Sequence, residues 1–392
     1  DALPHHRKAM LARWRYLTRS RTLSDVIHSL LRGSFADDAI VHPDVAQYLP
    51  AFAHVEPDRI ATALYFAIGR MPLDDLAAVE VTEELVDTLR LLAGRQDSFR
   101  PAAQMILRLA AVADTEGTQP IVSLLRQLFQ VALAGTQADD RRRREALEQA
   151  LEEDDPRIRR AGVEALGAMI QTYLSRSEDF EQVGAEPYRP EWAPPDNGTI
   201  HAYFNWALDR LREVWAKDAA LRPAIEEHVA GDLRNLIMPE LLPTIEAFIG
   251  DVVAVSGHYL AATKSIGDWL YFDSPETPTN FSGAVRGLYD TTLPKDPVDQ
   301  ALLYSRFWVS DIHDPDRRYA EDHDNPDFEY GARRAAALAS GIAADPDQRA
   351  RAIRVMSSQE LNSPHPFAQA LAEHLPDPLD AIEQAVTALD AS

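Results

Sequence analysis

Asp154–Tyr173 reads DDPRIRRAGVEALGAMIQTY. Two carboxylates lead into a proline, and apolar residues then recur at helical spacing: Ile158, Ala161, Ala165, Leu166, Met169 and Tyr173. An aspartate ahead of proline caps a helix start, and the ring fixes the first-turn φ where no intrahelical hydrogen bond is lost. The spacing predicts one amphipathic helix with a broad buried face. A second helical pattern, Asp139–Glu153, precedes it across a short acidic turn. Together they predict a helical hairpin, with Arg142 or Arg143 in water. Gly162 and Gly167 would let a neighbouring backbone come close. Such a hairpin cannot bury its apolar face alone and needs neighbours of the same kind.

The rest of the chain repeats the helical theme. Periodic segments cover Asp58–Arg70, the region after Pro101, and Ile121–Ala132, each bounded by Gly or Pro. Near the N-terminus Ala9–Leu31 reads as helix, with Thr22 or Ser24 as a cap inside it. No stretch sustains Val/Ile/Thr alternation at period two, so the expected fold class is all-α. EPYRPEWAPPDNG, within 175–198, carries four prolines and little apolar periodicity, which marks a linker. Its Tyr188 and Trp192 need packing partners, and the linker is expected to lie against the preceding helices. The expected organisation is an N-terminal helical segment (1–57), helical hairpins (58–174), the linker (175–198), a helical region (199–309), an acidic loop (310–326) and C-terminal hairpins (327–392).

Composition narrows the function. The 392 residues hold 62 acidic against 39 basic side chains, a formal net charge of −23. Nucleic-acid binding needs a positive surface, so this balance argues against it. With 46% apolar residues the chain can build real cores. There is no cysteine, which removes disulfides, thiolate metal sites and a thiol nucleophile, and fits a reducing cytoplasm. The most apolar run, Ile245–Leu260, is broken by Glu246, Asp251 and His258 and reads as a buried helix, not a membrane span. The chain starts without Met, which is consistent with its being the C-terminal arm of a larger multidomain protein.

DDPRIRRAGVEALG (154–167) resembles the second half of a HEAT repeat of the bacterial single-hairpin type. Asp-Pro starts the inner helix, Arg159 stands at the motif's recurring arginine, and Ala161, Ala165 and Leu166 match its small and apolar positions. DSFRPAAQMILRLA (97–110) and DPDQRARAIRVM (345–356) are partial echoes. The resemblance implies an α-solenoid whose second half is less regular. It also implies a scaffold that recognises a protein partner or serves as a sensor, without chemistry of its own.

Two clusters are candidate sites. Arg141–Arg144 is the compact basic run, and with Arg157 and Arg160 across the turn it offers Arg141, Arg144, Arg157 and Arg160 as an anionic partner site, joined by Trp192. Four consecutive arginines on a helix point in four directions, however. Asp139–Arg160 holds seven arginines against eight carboxylates, so the competing reading is an ion-paired face. Asp311–Tyr330, DIHDPDRRYAEDHDNPDFEY, packs eight carboxylates with His313 and His323. Its competing readings are a solvated loop, a docking surface for a basic partner, and a metal site. In the last, Asp311, His313, Asp322 and His323 would ligate Mn or Mg, and His323-Asp324 would serve a phosphohydrolase that activates a bound water. The loop lacks EF-hand order. The chain also lacks GxxxxGK[ST], GxSxG and HExxH. Tyr203, Phe204, Trp206 and Trp215 are expected to be core, not a recognition stripe.

Overall fold

The computed structural model describes residues 13–375 and 379, apart from 15, 18–19, 114–119, 175–189, 276, 278 and 323–326. Among the described residues every regular element is helical and no strand occurs. Contacts divide the chain into two units, Asp1–Ile225 and Glu226–Ser392, and the division falls inside a helix, Arg222–Leu236, not in the proline-rich stretch.

The first unit contains α1 (Arg21–Arg32), α2 (Pro43–Ala46), α3 (Leu49–Val55), α4 (Pro57–Ala67), α5 (Leu73–Leu76), α6 (Glu83–Gly94), α7 (Phe99–Val112), α8 (Pro120–Phe129), α9 (Asp140–Leu151), α10 (Pro156–Met169) and α11 (Asn197–Lys217). The cap of α1 is Ser20, whose side chain accepts from Leu23 N; Thr22 and Ser24, the expected caps, lie inside the helix. Trp14 stacks on Phe52, and Phe52 on Tyr48, which ties the first helices together.

The hairpin forms for the reasons its sequence supplies. Asp139 caps α9 by accepting from Arg142 N at 3.0 Å, and Asp155 caps α10 by accepting from Arg157 N at 2.9 Å. Pro156 takes the first helical turn of α10. This helix packs against α7, α8, α9 and α11. Four-sided packing explains why its buried surface is wider than one amphipathic face: Val163 and Ala168 are buried along with Ile158, Ala161, Ala165, Leu166 and Met169. At Gly162 an added Cβ would come within 2.9 Å of a Leu151 methyl of α9, so that side chain would have to shift. One expected core residue is not core. The helix ends at Met169, and Tyr173, four residues on, is 85% exposed.

After α8 the chain turns through Leu133 and Gly135, both at positive φ. For Gly135 that conformation carries no Cβ penalty. Its N–H donates to Glu191 Oε2 at 2.8 Å, and Trp192 N–H donates to the Thr136 carbonyl at 2.8 Å. The described end of the proline-rich stretch therefore lies against this turn. In α11 Tyr203, Phe204 and Trp215 are buried, and the Tyr203 hydroxyl donates to the Phe129 carbonyl.

The second unit follows from α12 (Arg222–Leu236), which bridges the division in sequence. Its further helices are α13 (Leu242–Ser256), α14 (Leu260–Phe272), α15 (Asn280–Thr292), α16 (Pro297–Arg306), α17 (Tyr319–Asp322), α18 (Tyr330–Ala344), α19 (Pro346–Ser357) and α20 (His365–His374). The apolar run 245–260 is split: α13 stops at Gly257, at φ 79°, and α14 begins at Leu260. No helix among the described residues is long and apolar enough to cross a membrane. Here α18 is the central element, packed on α16, α19 and α20 through Ala335, Ala339 and Ile342.

Candidate functional site

The four consecutive arginines have four different fates. Arg141 is exposed and pairs with Glu145 at 2.9 Å, one turn on. Arg142 pairs with its own cap, Asp139, at 2.9 Å. Arg144 pairs with Asp140 at 3.1 Å and lies over the Trp206 ring at 5.5 Å. Arg143, expected in water, has no solvent exposure at all.

Among the described residues its guanidinium is held by backbone carbonyls. Nε donates to the Ala138 carbonyl at 3.1 Å and Nη1 to the Gln130 carbonyl at 2.6 Å. The Trp192 ring covers it at 4.9 Å, a cation–π distance. Trp192, expected at a partner surface, is thus half-buried on its own chain. Helical phase could have revealed this: Arg143 falls in register with Ala146, Leu147 and Ala150, the buried stripe of α9.

The arginines of α10 separate in the same way. Arg159 donates to the carbonyls of Glu153 and Asp154 and pairs with Asp218, so it ties the turn to the end of α11. Arg157 bonds to Asp155 at 2.9 Å and reaches Asp74 at 2.8 Å. That guanidinium holds the Asp155 carboxyl below the usual carboxylate range. Arg160 is exposed and forms no ion pair among the described residues.

Arg157 and Arg160 line a cleft of about 120 Å³ bordered by α7, α8 and α10. Arg126, Glu164, Ala111 and Ala161 also line it. Arg126 donates from Nη2 at 2.9 Å and from Nε at 3.3 Å, both to Glu164 Oε2. Neither Arg141 nor Arg144 reaches this cleft. Arg126 and Glu164 were not singled out in sequence. The available signal was a lone cation in PIVSLLRQLF, the otherwise apolar α8.

No protein-family model, curated protein or solved structure matches the chain.

In the second unit the acidic stretch does not converge on one point among its described residues. Asp316 pairs with Arg286, and Asp327 with Arg333. Asp311 is exposed, next to the Ser310 hydroxyl at 3.1 Å. His313 packs on rings from outside its own segment. Its ring stacks on Tyr271 with centroids 4.5 Å apart and planes 5° from parallel, and meets the edge of Phe272. No group of three or more His, Asp or Glu able to hold an ion occurs among the described residues. His323 and Asp324 lie outside those residues, as does the side chain of Asp322. Nearby, Lys264 pairs with the buried Asp268 at 2.7 Å, and burial raises the pKa of that carboxyl.

Burial also lowers the pKa of the His313 imidazole below its ordinary 6.5, against the opposing pull of Asp268. A base whose folded pKa is depressed must stay neutral to contribute. Its share of stability is complete above 6.5 and is lost as pH falls through the folded value. Replacing His313 with Phe keeps a ring on Tyr271 and removes the titration. Thermal midpoints of wild type and His313→Phe should therefore diverge between about pH 7.5 and about pH 5, with wild type falling faster. Parallel curves would refute this placement of His313.

Proposed function

We propose that this chain is a non-catalytic scaffold that recognises a protein partner, with HEAT-like hairpins stacked through residues 58–174. The observation that carries the reading is the arginine-rimmed cleft between α7, α8 and α10, in which Arg160 faces solvent with no carboxylate of its own among the described residues. Helix α10 packs on four neighbours and turns its remaining face, with Arg157 and Arg160, to the cleft. Stability alone gives no reason for Arg160, because exposed charges contribute little to folding. Recognition by a preformed concave surface gives one.

Site-directed photo-crosslinking tests the proposal. A photoreactive residue in place of Ala111, which lines the cleft, should yield a discrete adduct in cells. One in place of Arg141, which does not line the cleft, should not. The captured protein should then bind the purified chain. Equal labelling from both positions would overturn the proposal. So would a Mn- or Mg-dependent release of phosphate from phosphate esters that is lost on changing His323.

A further inference from the structure

We infer that the cleft accepts one carboxylate side chain, with its aliphatic stem, from a locally acidic segment of the partner, and that Arg160 clamps it. The inference rests on the recognition reading above and adds the chemistry of the occupant.

Charge bookkeeping around the cleft selects a monoanion. Arg126 is committed to Glu164, and Arg157 to Asp155 and Asp74. Arg160 remains, and a single guanidinium matches a single carboxylate through two parallel hydrogen bonds. A phosphate would bring up to two negative charges to that one guanidinium, leaving one of them without a cation. A nucleic-acid backbone needs a row of cations along its path, and the paired arginines here do not supply one. The walls select the stem. Val122, Leu125, Ala161 and the alanines of α7 give the cleft of about 120 Å³ an apolar side, and the whole cleft is somewhat smaller than the roughly 150 Å³ that holds benzene. That is room for the methylenes of a glutamate, with the carboxylate at the rim.

Long-range electrostatics limits the occupant further. The chain carries a formal charge of −23, so a polyacidic partner would be repelled before it arrived. An isolated acidic residue with apolar or small neighbours gains the local contact and incurs little of that repulsion. Binding should accordingly depend only weakly on salt, unlike the steep dependence of multi-phosphate contacts.

The test uses the whole purified chain, labelled at arginine side chains for NMR. The probes are short acetylated peptides with one central residue between alanines: Glu, Gln or phosphoserine, together with a single-stranded oligonucleotide. The Glu peptide should shift the Arg160 side-chain resonance saturably and bind at least about tenfold more tightly than the Gln peptide. Arg160→Ala should abolish the difference while leaving the unfolding midpoint unchanged. Arg160→Lys should restore part of it, and Arg141→Ala should behave as wild type. Equal shifts from Glu and Gln, no saturable shift from Glu, or preference for phosphoserine or the oligonucleotide would each overturn the inference. A site-selective adduct from position 111 combined with any of those outcomes would leave the recognition reading standing and remove only the carboxylate. Loss of the adduct together with a normal Glu response would do the reverse.

Discussion

Arg143→Ala should lower the unfolding free energy by about 2–5 kcal/mol, the cost of a core cavity together with buried carbonyls left without a donor. The residue has no solvent exposure, yet among the described residues it has no carboxylate partner. Its compensation comes from the carbonyls of Ala138 and Gln130 and from the face of Trp192. Removing it strands two carbonyls, leaves a void the length of an arginine stem, and uncovers one side of Trp192. Arg143→Met separates these contributions. It refills most of the void without restoring a donor, so its cost should be smaller than that of alanine but still well above zero. Arg141→Ala, at an exposed i,i+4 pair, should cost about 0.5 kcal/mol or less. Denaturant melts of the three variants, read by tryptophan fluorescence, decide the matter. Equal and small effects at 141 and 143 would show that the cation is not held as described.

How much of this was written in the sequence depends on how local the cause is. The all-helical class, the hairpin and both of its caps were legible, because Asp139, Asp155 and Pro156 act on backbone groups within three residues. The fate of Arg143 was half legible. A run of four arginines looks uniform, and the ion-paired face was the competing reading for the whole run, with Arg142 or Arg143 in water, but phase with Ala146, Leu147 and Ala150 singles one out. Tyr173 failed for the opposite reason, since extending the period past the helix end carried the pattern into a segment that no longer packs. The cleft was not legible as a unit. Arg126 meets Glu164 across 38 residues of chain, and only the packing of α8 on α10 brings them together. His313 shows the same limit. Its sequence neighbours are carboxylates, while its ring neighbours, Tyr271 and Phe272, come from the end of α14. Composition near a residue predicted its chemistry poorly in that loop, because the partners arrive from elsewhere.

Leu166→Ala is the sharpest probe of the hairpin itself. The side chain is fully buried in α10, and Leu-to-Ala changes in such positions cost about 2–5 kcal/mol. Where the value falls within that range depends on how far the surroundings can close over the missing methyls. Helix α10 is held by α7, α8, α9 and α11 at once, so a shift toward one neighbour opens a gap against another. The cost should therefore lie in the upper half of the range. Two controls share the hairpin and lack that confinement. Arg142→Ala removes a partly exposed contact to Asp139 and should cost no more than about 0.5 kcal/mol. Tyr173→Ala removes a large ring that stands mostly in water and should be similarly mild, although the sequence period alone would have ranked it with Leu166. A ranking in which Leu166 stands far above both follows from four-sided packing that stops at Met169. If Tyr173 matched Leu166 instead, the apolar face would have to continue beyond the helix end, and the hairpin would be longer than the structure makes it.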